Sequence, residues 1–187
     1  MTPTAGAVAT LDDLYRVEGK AELIGGRIVT FMASGDDPSV IALEIAVSLR
    51  DHAKQTGLGV AYGDGIGFAL DAPLANGRQS FSPDASYYLG PRPANRMRFL
   101  PGPPTFAVEI RSENDYGPSP EVEMEAKRAD YFAAGTLAVW DVDPIAGTIA
   151  LYRSDPANPV ARYQSGDIAE AGPAVPGWRV AVDDLFR

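Results

Sequence analysis

The sequence predicts a mixed α/β fold built on a central, strongly bent sheet, with a hairpin near its N-terminal end. Three observations predict it. The segments run helix, hairpin, helix, several strands, helix, strands, which is not the βαβα alternation of a doubly wound fold. Two long stretches, about 38–54 and about 120–134, read as helices bounded by Pro and Gly. The runs Ser82–Leu89, Thr105–Arg111 and Leu137–Val142 read as strands, each carrying a carboxylate.

Taken in order, Thr10 and Asp13 resemble a capping box opening a short helix from Leu11 to about Glu18, with Leu14 and Val17 as its apolar stripe. Glu22–Phe31 holds two short apolar runs around Gly25-Gly26, a hairpin signal. Gly35–Pro38 is a loop and helix start, and the helix runs to about Lys54. Its spacing puts Ile41, Ile45, Ser48, Leu49 and His52 near one face, and Gly57 and Gly59 stop it. Val60–Tyr62 and Ile66–Leu70 are strands around Gly63-Asp64-Gly65. A loop, 71–81, leads to the strand bearing Asp84. Pro91–Pro104 is irregular and exposed, and the strand bearing Glu109 follows. After the second long helix, opened by Pro120 and ended near Ala134-Gly135, come strands at Leu137–Val142, Thr148–Arg153 and Val160–Gln164. Asp183–Phe186 is a closing helical turn. With no repeat, low-complexity tract or Gly/Ser linker, the 187 residues read as one domain, its core about 11–163 and 164–187 a C-terminal extension.

Composition excludes several functions. The chain has no cysteine, which removes disulfides, Cys-ligated zinc, iron–sulfur clusters and cysteine nucleophiles. With a single histidine, His52, a zinc site lacks ligands, and without a G-x-S-x-G elbow a serine triad lacks its nucleophile. Gly63–Gly67 alternates glycines but has no following helix, so it is a poor phosphate loop. No apolar run is long enough to span a bilayer. Residues 1–9 lack the basic start and apolar centre of a secretory leader, and with the missing cysteines they point to a cytoplasmic protein. A net charge of -9 opposes non-specific attraction to nucleic acid. Contact with nucleic acid would then need a local basic patch, for which Arg92, Arg96 and Arg98 are the candidates, although a solvated loop with scattered arginines explains them better.

The chemistry is concentrated on a few residues. In Thr105–Arg111 the alternation of a strand puts Phe106, Val108 and Ile110 on one face and Ala107, Glu109 and Arg111 on the other. A carboxylate in such a run is costly unless paired or bound to a cation. Asp84 on one strand, Glu109 on another and a nearby lysine are the minimal set for holding Mg²⁺ against a phosphodiester. Lys127 shares a helix face with Met124 and Tyr131 and can be aimed at the sheet, or it can snorkel on the surface beside Glu123. Arg111, two residues after Glu109, can clamp a phosphate or form a surface pair with its acidic neighbour. Glu22 can add a carboxylate or sit on a hairpin edge. Trp140 and Trp178 are expected in the core.

Four pieces in this order resemble a known family. They are Ala21-Glu22-Leu23-Ile24-Gly25-Gly26-Arg27-Ile28-Val29, then Ser82-Pro83-Asp84, then Val108-Glu109-Ile110-Arg111-Ser112-Glu113-Asn114-Asp115, then Lys127-x-x-x-Tyr131-x-x-x-Gly135 followed by Val139-Trp140-Asp141-Val142-Asp143-Pro144. Their order is similar to that of the large bacterial family of restriction-endonuclease-like proteins, long filed as a domain of unknown function, within the PD-(D/E)xK nuclease superfamily. The resemblance covers about Leu11 to Tyr163. It implies a restriction-endonuclease-like fold, often dimeric, and Mg²⁺- or Mn²⁺-dependent hydrolysis of nucleic acid, most simply DNA. It maps Asp84 and Glu109 onto the metal-binding acids, and Lys127 onto the helix-borne lysine. Glu22 maps onto the acid of the N-terminal strand, and Arg111 stands where the superfamily lysine usually does. Two departures are visible. The segment Gly35-Asp36-Asp37-Pro38-Ser39-Val40 lacks the family's histidine, and Ser112-Glu113-Asn114 replaces a Ser-Pro-Ser loop.

The expectation is therefore a Mg²⁺-dependent endonuclease in which Asp84 and Glu109 bind the metal, Lys127 assists, Arg111 holds phosphate and Glu22 tunes the site. The alternative is a member that keeps the fold without the chemistry and serves as a dimeric binding or assembly module. Its sign would be no metal affinity at the Asp84/Glu109 pair, with Lys127 pointing to solvent.

Overall fold

A computed structural model describes residues 8–186. The elements, in order, are α1 (Leu11–Leu14), β1 (Ala21–Ile24), β2 (Arg27–Thr30), α2 (Asp36–Thr56), β3 (Val60–Tyr62), β4 (Phe68–Ala69), β5 (Ser80–Phe81), β6 (Ala85–Tyr88), β7 (Leu100–Pro101), β8 (Phe106–Ile110), α3 (Pro118–Ala134), β9 (Ala138–Asp143), β10 (Thr148–Tyr152), β11 (Ala161–Tyr163), β12 (Ile168–Glu170) and β13 (Arg179–Ala181), closed by a 3₁₀ turn at Val182–Asp184. The central sheet has six strands in the order β11-β10-β9-β8-β6-β3. It is mixed, as expected: β8 and β9 are parallel, and the other neighbours are antiparallel.

The two faces of β8 divide the interior as strand alternation requires. Phe106, Val108 and Ile110 enter the larger core with Ile41, Ile45 and Leu49 of α2. Ala107 faces the other way, into a core with Phe68, Phe81, Tyr131 and Val139. Trp140 and Trp178 pack 5.0 Å apart between ring centroids, and Phe106 meets Trp140 edge-on. Each indole N–H has an acceptor, the Glu170 carbonyl for Trp140 and Ser48 Oγ for Trp178, so both tryptophans are buried without an orphaned donor.

The hairpin turns at Gly25 and Gly26, both with positive φ (57° and 69°), the backbone of a tight primed turn that non-glycine residues resist. Its register pairs Glu22 with Val29 and Ala21 with Thr30. Ala21 and Leu23 face a small core with Leu14, which leaves Glu22 to face the opposite way.

Three expectations are corrected. The first helix stops at Leu14, with Tyr15 as its C-cap, because Val17 packs against the small core from outside a helix. Pro91–Pro104 is not wholly irregular: Leu100–Pro101 forms β7, parallel to β4. The segment 164–187 is not a mere extension. It contributes β12, β13 and Ala169, Ala171, Val175, Trp178, Val180 and Leu185 to the larger core. Among the described residues no helix is long and apolar enough to cross a membrane.

Candidate active site

Strand register brings the two expected acids together. Ala85 of β6 pairs with Val108 of β8. One step on, the Asp84 N–H donates to the Val108 carbonyl at 3.0 Å. Asp84 therefore lies beside Glu109, on the face away from the larger core, since Ala85 and Val108 point into that core. The Asp84 side chain is fixed from two directions. Its Oδ2 accepts the Ile110 N–H at 2.8 Å, and its Oδ1 accepts the Lys20 ammonium at 2.6 Å.

Glu109 is met by α3. Lys127 Nζ donates to its Oε2 at 2.7 Å and the Tyr131 hydroxyl to its Oε1 at 2.6 Å. Residues 127 and 131 are one helical turn apart, so a single helix face supplies both donors. The lysine thus points at the sheet and not at solvent. Its ammonium is also 3.5 Å from Glu22 Oε1 and 5.5 Å from the centre of the Phe31 ring.

Glu22 is buried, and all its capacity is used. Its Oε1 accepts the Ser82 N–H at 2.9 Å, and its Oε2 accepts from Arg78, which also donates to Asp130 at 2.6 Å. Asn76 holds the other Asp130 oxygen at 2.7 Å. Lys20 completes the arrangement by bridging Asp84 to Asp64, the latter at 2.8 Å.

These ion pairs do not balance. Five carboxylates (Glu22, Asp64, Asp84, Glu109 and Asp130) surround three cations (Lys20, Arg78 and Lys127). The electrostatics follow. Burial pushes the Glu109 carboxyl above the usual glutamate value; Lys127 opposes this, while Asp84 and Glu22 add to it. Burial would lower the Lys127 ammonium, but Glu109 and Glu22 reverse that and hold it above the ordinary lysine value. Lys20 is raised in the same way, burial being outweighed by Asp84 and Asp64. Glu22 stays below its usual value despite burial, because Lys127 and Arg78 flank it.

The donor set suits a hard divalent cation. Its ligands are carboxylate oxygens, and the excess of two negative charges equals the charge of one such ion. Among the described residues, no three His, Cys, Asp or Glu side chains are grouped to cage a metal by themselves. A cavity of about 190 Å³ adjoins Asp84, walled by Pro38, Ala42, Leu43 and Ala46 of α2, with Asp64 also lining it.

Arg111 is not brought to this cluster. Its Nε and Nη2 donate to Asp141 at 2.8 Å each, and Nη2 also donates to Glu121 at 2.8 Å. Arg128 donates to the same two acids, at 2.8 and 3.1 Å. Two arginines and two carboxylates form a balanced knot that ties α3 to β9. The basic stretch is also partly engaged: Arg98 stacks 4.2 Å from the Tyr15 ring centre and pairs with Asp12 at 3.6 Å. His52 bonds the Pro176 carbonyl at 3.1 Å, as a core-edge residue.

Sequence reasoning missed Lys20, Arg78, Tyr131 and Asp130 as members of the cluster. For Lys20 a signal existed, since it precedes Glu22 by two residues and so shares its strand face. Arg78 pairs with both Glu22 and Asp130, each more than 50 residues away, with no local pattern to mark them.

Comparison with known proteins gives the chain a family and its fold a likeness. A family model, Uma2, described as "Putative restriction endonuclease", matches residues 8–183. Among solved structures, a crystal structure described as a putative nuclease belonging to DUF820, from Anabaena variabilis, superposes with a TM-score of 0.71 over 95% of this chain and 97% of that one, at 19% sequence identity. No curated protein matches the chain.

Proposed function

Because this chain belongs to the Uma2 family, described as "Putative restriction endonuclease", we propose that it is a Mg²⁺-dependent nuclease whose metal is held by Asp84 and Glu109. The observation that carries this reading is the uncompensated pair of negative charges around those two acids, with Lys127 fixed on Glu109. A bound Mg²⁺, or Mn²⁺ in its place, would supply Lewis-acid polarisation of a phosphate and a more acidic bound water. The roles of the chain's own residues follow from their surroundings. Lys127 stays protonated, so it neutralises charge developing on the phosphate and donates to the attacking water; it does not remove a proton. Tyr131 orients the Glu109 carboxylate. Glu22, with both oxygens engaged, positions Lys127 and Arg78. Arg111 secures α3 on the sheet through Asp141, in place of the phosphate clamp expected from its position. DNA as substrate, a homodimer and a cytoplasmic setting belong to the same proposal.

One observation favours the alternative, a member that binds without cutting. Both oxygens of Asp84 and both of Glu109 are already bonded within the protein. Against it, Lys127 points at Glu109 and not at solvent. A cleavage assay decides: supercoiled plasmid and single-stranded DNA with Mg²⁺ or Mn²⁺, for wild type, Asp84→Ala and Glu109→Ala. Metal-dependent cutting by wild type, lost at least about 100-fold in both variants, is the expected result. Undiminished cutting by Asp84→Ala would overturn the ligand assignment, and an inert wild type would favour the binding module.

A further inference from the structure

The hairpin lays one face over the acidic cluster, and that face ends in an aromatic ring. Phe31 continues β2 by one residue, its N–H donating to the Lys20 carbonyl at 2.9 Å. The register Ala21↔Thr30 and Glu22↔Val29 then places Phe31 opposite Lys20, on the face shared by Lys20, Glu22 and Val29. Lys20 bonds Asp84, and Lys127 bonds Glu109. The Phe31 ring lies 5.5 Å from Lys127 Nζ, the ammonium that bonds Glu109. Yet Phe31 is 39% exposed as a residue, beside Val29 at 39% and Met32 at 93%. Core packing does not account for an aromatic at that position, whose outer surface is open.

We propose that the site takes an unpaired nucleotide, with the base next to the scissile phosphate stacked on Phe31. The proposal rests on the nuclease reading above and narrows it to single-stranded substrate. Two arguments carry it. In a duplex, a base beside the phosphate is enclosed in the stack and cannot meet a protein ring, whereas in a single strand every base offers a free face. The second argument is electrostatic. The chain carries a net charge of -9, and the cations nearest the site are already paired with protein carboxylates. Backbone attraction, the main source of affinity for duplex, is therefore weak here. Stacking does not depend on net charge and fills that gap.

The test is fluorescence anisotropy in an Asp84→Asn background, where cutting is stopped and one repelling charge is gone. Three labelled probes of equal length are compared: a single-stranded DNA, its duplex, and an abasic strand that keeps the phosphates and lacks the bases. The single strand is expected to bind more tightly than the other two. Adding Phe31→Ala should weaken single-strand binding by about 5- to 150-fold, the range of one base–aromatic stack, and leave the abasic strand unchanged. Phe31→Trp should retain the affinity. A thermal melt confirms that both variants fold. Equal binding of the single strand by folded Phe31→Ala, or duplex bound as tightly as single strand, overturns the proposal. Wild-type plasmid and single-strand cutting separates the two claims. Metal-dependent cutting with no effect of Phe31 on binding sinks stacking alone, whereas the stacking pattern without any cutting sinks the nuclease reading alone.

Discussion

At the scale of the residue, Glu109 is a buried acid whose surroundings work against stability. Its carboxyl is raised by burial and by the neighbouring Asp84 and Glu22, despite Lys127. For an acid with a raised folded value, the folded state holds its proton longer than the unfolded chain does. Stability then falls as pH rises from the ordinary glutamate value of 4.5 through the folded value, and the deficit persists above it. Glu109→Gln should remove that deficit. Thermal unfolding is expected to show the variant more stable than wild type at neutral pH, with the difference closing below about pH 4, and cutting lost throughout. A variant less stable than wild type at neutral pH would mean that the Lys127 pair outweighs burial and acid crowding. The same residue explains what was legible. Glu109 stood out because it is charged where its strand neighbours are apolar, whereas Asp84 and Lys127 were marked mainly by the family resemblance. Arg78 and Asp130 sit in loop and helix contexts where a charge is ordinary, and only folding brings them to Glu22.

At the scale of the element, α3 is held by charge as much as by apolar contact. Its buried residues are Arg128, Asp130 and Tyr131, and Asp141 of β9 takes hydrogen bonds from both Arg128 and Arg111. Asp141 and Arg128 are each about 3% exposed at the side chain. Asp141→Asn would leave two arginines facing a neutral amide, a break of the kind that costs about 3–5 kcal/mol when the pair is buried. Urea unfolding should show a loss of that order with an unchanged slope. Weakened cutting is expected to follow, because Lys127 and Tyr131 ride on the same helix. Long elements were readable from spacing, and the Gly-Gly hairpin from its turn. β12 and β13 were not, since each has three residues and sends one side chain into the core, Ala169 and Val180. Such segments carry no period, and tertiary cover alone makes them strands.

At the scale of the whole molecule, charge sets the terms of any encounter with nucleic acid. The chain is acidic overall, and of the basic stretch near residues 92–98, Arg98 is already occupied by Tyr15 and Asp12. Few phosphates can be neutralised, so the logarithm of single-strand affinity should fall with the logarithm of salt at a slope of only about -1 to -3. A slope near -6 in an anisotropy titration would reveal a cationic track elsewhere on the surface. The fold class, by contrast, was open to reading from element order alone, because a non-alternating sequence of strands and helices leaves few sheet topologies that bury both faces.

The amide of Ile110 has a use that its geometry makes plain. It belongs to a strand in the middle of the sheet, yet its hydrogen is given to the Asp84 carboxylate and not to a neighbouring strand. Any change of charge or company at that carboxylate must alter the magnetic environment of one backbone nitrogen deep in the protein. Nitrogen-edited NMR of this single resonance would therefore register what arrives at Asp84, whether or not a reaction follows.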